Sequence, residues 1–150
     1  MQIQEARLGR LFLLKFVHGD DLLQEISQFA VSYNIRAAWM QFLGALKRGK
    51  LVSGPEKPLL PPVPVWQEFS QAWEILGVGN LFWEEDSPRL HLHGALGKGE
   101  ATLMGCLRQE TEVYLVAEAL LLEIKGLNVC RRLDPTLGVS MLEFSNSASQ

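Results

Sequence analysis

Residues 90–107, LHLHGALGKGEATLMGCL, contain two apolar, β-prone segments that flank a Gly-Lys-Gly turn signal. Successive side chains of a strand point to opposite faces of a sheet. Leu90 and Leu92 should therefore face a core, while His91 and His93 share the other face about 7 Å apart along the chain. The stretch predicts an antiparallel hairpin that presents both histidines on one side.

Cys106 joins this pair if the hairpin closes in the expected register. A two-residue loop at residues 98–99 predicts that Gly97 pairs with Glu100, and counting back then places His91 directly opposite Cys106. Such partners share a face, with Cβ atoms about 5 Å apart. A slip of one residue would turn Cys106 to the other face and remove it from the group.

His91, His93 and Cys106 are predicted to bind a divalent transition metal, with zinc favoured. Imidazole nitrogen and thiolate sulfur suit Zn²⁺ and other late divalent metals, whereas Mg²⁺ prefers oxygen. Three protein ligands leave one position for water, a substrate or a ligand from another subunit. The alternative is that no ion binds, because histidines on an exposed strand face and a lone buried cysteine are each common.

The part of the chain before the hairpin predicts a strand and then a helix. Residues 10–17 are dense in leucine, phenylalanine and valine, as expected for a strand. The helix should be capped by Asp21, with Gln24 at the capping-box position, and should end at Asn34. Its buried face is marked by apolar residues at helical spacing, namely Leu22, Ile26, Phe29, Ala30 and Tyr33.

The remaining segments predict strands separated by turns. Residues 35–46 are predicted to form a buried strand leading to a turn at 48–50. Residues 55–64 hold five of the chain's seven prolines and predict a loop. Residues 113–124 fit either a strand or a helix, and the polar tail 145–150 should fray. Further strands are expected at 65–69, 73–83, 90–96, 101–107, 127–131 and 139–144.

Length and composition limit the classes of function. The 150 residues suit one domain, with a core at about 9–144. A formal net charge of -3 argues against a bare DNA-binding surface, which normally needs a basic stripe. Cys106 and Cys130 are too few for a disulfide framework and no secretory signal precedes the domain, so a reducing cytoplasm is expected. The apolar runs are too short to span a membrane.

Other chemically capable residues have simpler interpretations. His18 is expected in a turn before the helix, outside the site. Glu100, Glu110 and Glu112 could supply a general base or a fourth ligand, but solvated carboxylates at turns are the stronger interpretation. Four tryptophans are expected mainly in the core, with a share at subunit interfaces. They are Trp39, Trp66, Trp73 and Trp83.

The run from His91 to Gly97, followed by Met104-Gly105-Cys106-Leu107, resembles the PPC family, the domain conserved between plants and prokaryotes. Other segments match the family's pattern in the family's order, and the resemblance covers residues 9 to 144. These segments are Gly9-Arg10, Gly19-Asp20-Asp21-Leu22, Ile35-Arg36-Ala37-Ala38, Gly44-Ala45-Leu46 and Asp134-Pro135.

The resemblance implies an α+β domain, an antiparallel sheet with flanking helices, that assembles into a trimer. Some members hold a metal through three histidines; two of those match His91 and His93, and Cys106 stands in place of the third. Gln109 stands where the family commonly has glutamate, which weakens a catalytic role for that position. Plant members also carry an AT-hook for the DNA minor groove, and this chain lacks that element.

Three functions remain open from the sequence. The first is a stand-alone, homotrimeric, metal-binding module with a regulatory or ligand-binding role and a small-molecule ligand at the metal. The second is a metal-dependent enzyme acting on a small molecule, with a carboxylate supplied by a neighbouring subunit. The third is a DNA-associated protein by family analogy, which would need a basic surface on the assembled trimer.

Overall fold

Seven strands and one helix make up most of residues 1–144, the part of the chain that the computed structural model describes. The predicted tail, 145–150, lies outside the described residues. No helix within them is long and apolar enough to cross a bilayer. In chain order the elements are β1 (Arg7–Val17), α1 (Leu22–Ser32), β2 (Ala37–Pro55), β3 (Pro64–Glu84), β4 (Ser87–Lys98), β5 (Ala101–Lys125), β6 (Val129–Asp134) and β7 (Val139–Phe144).

The strands form one five-stranded antiparallel sheet and one separate hairpin. The order in the sheet is β1-β5-β2-β3-β4, and β6 pairs with β7. β4 also pairs with the start of β5, so β2, β3, β4 and β5 close into a ring. A single, mainly antiparallel α+β domain is confirmed, although residues 1–144 contain one helix where flanking helices were expected.

The ends of α1 follow the predicted capping pattern. The Asp21 carboxylate accepts a hydrogen bond from the Gln24 backbone N–H at 3.1 Å and another from the Thr111 hydroxyl at 3.0 Å. Asn34 follows the helix with a φ of 50°, a left-handed conformation that asparagine tolerates. Tyr33 is 51% exposed, so its predicted place on the buried face is wrong. It stands at the C-cap, beyond the last helical residue, and its ring lies at the edge of the core against Phe12 and Phe29.

The sheet has an inner face toward α1 and an outer face toward solvent. The helix buries Leu22, Ile26 and Ala30 against the inner face. The strands contribute fully or almost fully buried side chains to the same core, among them Met40, Phe42, Leu81, Leu92 and Leu121. The outer face carries exposed apolar side chains, among them Leu13, Trp39, Leu43, Leu76, Val78 and Met104.

Bulges carry β2 and β3 through positions that the sequence pattern marks as breaks. A turn was predicted at 48–50, but β2 runs through it with a register shift between Leu46 and Arg48. β3 likewise continues through Gln71 and Ala72, both at positive φ. A bulge interrupts the alternation of side chains while the pairing continues. A prediction from the alternation of apolar and polar residues alone therefore splits one long bulged strand into two shorter ones, as it did for β3.

β5 is a single strand of 25 residues, which corrects the predicted break after residue 107 and decides between the two alternatives for residues 113–124. It continues across 108–112, with Glu110 at a φ of 56°. Residues 113–124, which fitted either a strand or a helix, are strand because β1 and β2 pair with them from both sides. The last hairpin has β6 beginning at Val129 rather than at 127, and β7 spans 139–144 as predicted.

The tryptophans divide between core and surface. Trp73 and Trp83 are partly buried against the core, and their ring N–H groups donate to backbone carbonyls. Trp39 and Trp66 are 42% and 50% exposed, so these two lie outside the core, which was the expected place for most of the tryptophans but not for all of them. Strand alternation turns Trp39 outward, because its neighbours Ala38 and Met40 occupy the inner face.

A buried ion pair joins the first strand to the end of β5. Glu123 is 5% exposed and accepts three hydrogen bonds of 2.8 to 2.9 Å from Arg10, one from the backbone N–H and two from the guanidinium. These contacts lower the pKa of the Glu123 carboxyl to about 2. Gly9 leaves room for the carboxylate, since a Cβ there would lie 2.7 Å from Glu123 Oε2.

Replacing Glu123→Gln should lower the free energy of unfolding by about 2 kcal/mol at pH 7, because hydrogen bonds to a charged group are lost. The depressed pKa makes this stabilisation complete above pH 4.5, and it is lost as the pH falls toward 2. Urea denaturation at pH 7 and at pH 3 measures both effects, and the gap between wild type and variant should narrow at the lower pH.

Glu68→Gln is the matched control, because that side chain is 71% exposed and forms a surface ion pair with Lys50 at 3.2 Å. It should cost less than about 0.5 kcal/mol. A gap between wild type and Glu123→Gln that stays the same at both pH values would refute the assigned role of the ion pair.

Candidate metal centre

β4 places the two histidines of the hairpin on the outer face of the sheet. Leu92, which separates them in sequence, is fully buried on the inner face, as the alternation predicted. In β3, Asn80 lies opposite His91 and Val78 lies opposite His93. His91 is half-buried and His93 is exposed, so the pair lies where the sheet meets solvent.

Glycines let the neighbouring backbones approach closely at this point. Gly79 lies opposite Leu92, and a Cβ at Gly79 would lie 2.6 Å from the His91 carbonyl oxygen. A Cβ at Gly105 would lie 2.7 Å from Leu51 Cδ1. Real Cβ atoms essentially never come this close to other heavy atoms. The strands that carry the candidate ligands thus depend on glycine for their packing.

The predicted register of the hairpin is wrong by two residues. Gly97 pairs with Thr102 rather than with Glu100, and the loop consists of residues 99–100. The first loop residue has a positive φ of 57°, and a glycine stands there. Cys106 consequently lies opposite His93 and not opposite His91. Because the shift is an even number of residues, Cys106 stays on the same face as both histidines.

His91, His93 and Cys106 are brought together by this register. The two histidine Nε2 atoms are 3.0 Å apart, and one ligand atom from each of the three residues lies within 4.8 Å of the others. Ligands of a tetrahedral zinc ion lie roughly 3.3–3.6 Å from one another, given Zn–N and Zn–S bonds of about 2.0–2.3 Å. The donor set and its spacing therefore fit such an ion with small side-chain adjustments.

The other titratable candidates lie outside this cluster. His18 accepts a hydrogen bond from the Leu115 backbone N–H at 3.2 Å. Glu110 pairs with a lysine of β2, Glu112 with a lysine and an arginine of β2, and Glu100 is exposed in the hairpin loop. Within residues 1–144 no carboxylate joins the three-residue cluster.

Arg131 lies beside the cluster, a position that was not predicted from the sequence. Its Nη2 donates to Asn80 Oδ1 at 2.7 Å and lies 3.4 Å from His91 Nδ1. Its Nη1 donates to the Ser140 carbonyl at 3.1 Å. Arg131 belongs to β6, and the only signal in the sequence was a charged residue inside a short apolar segment. Nothing in that signal indicates which strand β6 packs against.

The electrostatic surroundings of the cluster are cationic. Burial, followed by the charges of Arg131, His93 and Arg108 in that order, lowers the pKa of His91 to about 4. Burial also raises the pKa of the Cys106 thiol, and the same two arginines partly oppose that rise. His91 is therefore neutral at pH 7, which is the form that binds metals. Cys106 would lose its proton on binding a metal.

The contact with Arg131 also bears on the tautomer of His91. A guanidinium only donates hydrogen bonds, so His91 Nδ1 must be the acceptor, and the ring proton then lies on Nε2. From there it can be donated to His93 Nε2, 3.0 Å away. Ligation through Nε2 would instead require the proton on Nδ1. A metal ion and Arg131 therefore favour opposite tautomers of His91.

Two solved structures of similar fold have sequence identities of 25% or more. A plant- and prokaryote-conserved (PPC) protein from Pyrococcus horikoshii is 27% identical, with a TM-score of 0.83, over 97% of this chain and 99% of that one. A metal-containing protein from Archaeoglobus fulgidus is 25% identical, with a TM-score of 0.82, over 94% and 98% of the two chains.

A third structure shares the fold at lower identity. It is named a "putative DNA-binding protein" from Ralstonia eutropha, is 20% identical and has a TM-score of 0.74, over 89% of this chain and 90% of that one. No curated protein matches the sequence significantly. The family model of the Plants and Prokaryotes Conserved (PCC) domain matches residues 3–125. Since this match spans most of the chain, the protein belongs to the PCC family, which is the PPC family that its histidine hairpin resembles.

Proposed function

We propose that the protein is a homotrimeric PPC module that binds one divalent metal, with zinc favoured, through His91, His93 and Cys106. The observation that carries the proposal is the convergence of two imidazoles and one thiol within 4.8 Å on one face of the β4–β5 hairpin. Nitrogen and sulfur donors in this ratio select zinc over oxygen-preferring cations. The Archaeoglobus relative, 25% identical, is named a metal-containing protein.

The chemistry of this centre is that of a binding or regulatory module. A zinc ion held by three side chains would offer one further coordination position and act as a Lewis acid toward a small molecule there. Hydrolytic enzymes with such an ion also use a nearby general base, and no carboxylate lies in the cluster within residues 1–144. The metal-dependent enzyme is for this reason the lesser alternative.

The outer face of the sheet supports assembly into a trimer. Leu13, Leu43, Leu76 and Met104 project from four different strands and are 53% to 80% exposed. An apolar patch that extends across several strands is typical of a subunit interface. Further copies of the chain would cover it, and the metal centre on the same face would then lie near the interface.

A reducing compartment suits the proposed ligand set. Cys106 and Cys130 are both free thiols, and a metal-binding thiol must remain reduced. We therefore place the protein in the cytoplasm. Cys130 is partly exposed, so a thiol-specific reagent applied to freshly lysed cells would show whether this cysteine is reduced in the cell.

DNA association is the second candidate function, because relatives from Ralstonia and Bacteroides are named as putative DNA-binding proteins. At 20% and 18% identity these relatives show a shared fold alone. The formal net charge of -3 opposes binding to a polyanion. The metal-binding module therefore has the stronger physical support.

Wild-type protein stripped of metal and titrated with Zn²⁺ should bind one equivalent per chain. His91→Ala and Cys106→Ser should each weaken binding by at least about tenfold, since each removes a ligand. Competition with a chromophoric chelator measures the affinity, and Co²⁺ in place of zinc should show thiolate-to-metal charge-transfer absorption that Cys106→Ser abolishes. His18→Ala is the control and should bind zinc as wild type does, because His18 lies outside the cluster. The proposal would be wrong if wild type bound no stoichiometric zinc.

Arg131→Gln should bind zinc about threefold to tenfold more tightly than wild type. The variant removes a positive charge beside the ion and frees His91 Nδ1 to carry the proton that ligation requires. The neighbouring Arg132→Gln is the matched control, because Arg132 pairs with Glu143 at 2.9 Å and is exposed. Equal or weaker zinc binding by Arg131→Gln would contradict the antagonism between Arg131 and the metal.

The wild-type mass in solution should be three times 16.8 kDa. Leu13→Glu combined with Leu43→Glu should shift the protein to monomers, because two buried interface positions would then carry charge. Light scattering coupled to gel filtration gives the mass. Leu59→Glu is the control, since Leu59 is equally apolar and 65% exposed but lies in the loop between β2 and β3. A monomeric wild type would rule out the trimer.

A further inference from the structure

A cleft of 1360 Å³ lies between α1, the β3–β4 turn and the last hairpin. Five arginines and three carboxylates line it, which gives the cleft a formal charge of +2 in a chain whose net charge is -3. The arginines are Arg36, Arg89, Arg108, Arg131 and Arg132. The carboxylates are Glu84, Glu85 and Asp86. Positive charge is thus concentrated in one concave place on an acidic protein.

Two of these arginines are already neutralised by ion pairs. Arg89 contacts Glu84 at 2.7 Å, and Arg132 contacts Glu143 at 2.9 Å. The other three arginines have no carboxylate oxygen within 4.0 Å among residues 1–144. The cleft therefore contains three guanidinium groups that lack an anionic partner.

Two of the three unpaired arginines are held by contacts with neutral groups. The Arg36 guanidinium lies over the Trp83 ring, 3.8 Å from its centroid. Arg131 is half-buried, and its guanidinium contacts only neutral acceptors, which are the oxygens of Asn80 and Ser140 and, at 3.4 Å, His91 Nδ1. Its Nε is buried without a hydrogen-bond partner among the described residues. A buried donor left unpaired costs free energy, so a shift of the Arg131 guanidinium toward an anionic acceptor in the cleft would be favourable.

We propose that this cleft binds a phosphorylated small molecule, with Arg36, Arg108 and Arg131 on the phosphoryl group. The planar guanidinium fork matches phosphate oxygens, and several unpaired cations suit a dianion better than a single carboxylate. Leu23, Leu90 and the Trp83 ring line the same cleft and provide apolar contact for the organic part of the ligand. The proposal does not depend on a bound metal ion, although Arg131 also lies beside the metal centre proposed above.

The shape and charge of the rim favour a small ligand over a nucleic acid. Glu85 and Asp86 are exposed at the β3–β4 turn on the edge of the cleft and would repel an extended phosphodiester backbone. A single phosphate that enters the cleft avoids them. The concave shape also suits a ligand that can be enclosed.

Calorimetric titration of the metal-free, full-length protein with phenyl phosphate tests the proposal. Phenyl phosphate should bind saturably, more tightly than inorganic phosphate and more tightly than benzoate, which presents the same ring on a carboxylate. Arg36→Gln combined with Arg108→Gln should weaken phenyl phosphate binding at least about tenfold, because two charged hydrogen-bond donors are lost. Both side chains are exposed, so this variant should fold.

Two single variants serve as controls. Arg48→Gln removes the same charge outside the cleft, where Arg48 pairs with Glu112 at 2.6 Å, and should leave the affinity unchanged. Arg89 lines the cleft but is already paired with Glu84, so Arg89→Gln should change the affinity for phenyl phosphate less than twofold. The proposal would be overturned if the double variant bound phenyl phosphate as tightly as wild type does. It would also be overturned if wild type bound benzoate as tightly as phenyl phosphate. Tighter binding of duplex DNA with the same arginine dependence would also overturn it.

Discussion

β5 pairs with three other strands, and these pairings determine the shape of the sheet and the position of the candidate metal ligands. β1 and β2 flank its C-terminal part, while β2 and β4 flank its start. A straight strand could not satisfy all of these neighbours, and the bulge around 108–112 provides the bend. The closed ring that results presses Cys106 between Val52 of β2 and His93 of β4. That explains why Cys106 is 4% exposed although it lies on the outer face.

Alternation of side chains explains how far the sequence could predict the candidate site. The apolar residues around His91 and His93 fixed which way each side chain faces, and this inference tolerates any register error of an even number of residues. The predicted register was wrong by two residues, so the three-residue cluster was predicted correctly. The residue opposite Cys106 was not, because it is His93 and not His91. The deciding feature was the positive φ of Gly99, which places the loop one residue later than predicted.

The parts that the sequence could not predict are those set by contacts between distant segments. Bulges in β2, β3 and β5 look like strand ends when only local periodicity is read, because the pairing partner that continues through them is elsewhere in the chain. The position of Arg131 depends on the docking of the β6–β7 hairpin against β3, for instance through the Ser140 hydroxyl and Glu84 Oε1 at 2.6 Å. No local pattern encodes that docking.

Arg131 is shared between the metal centre and the arginine-lined cleft, and this sharing has a thermodynamic consequence. In the structure described, one edge of its guanidinium lies against His91 Nδ1, while its Nε is buried without an acceptor among residues 1–144. An anion in the cleft would draw the guanidinium away from His91, and the freed Nδ1 could then take the proton that metal ligation requires. On both proposals, each ligand removes an obstacle to the other. Linkage makes such coupling reciprocal. A bound phosphorylated ligand should therefore raise the affinity for the metal by the same factor by which a bound metal raises the affinity for the phosphorylated ligand.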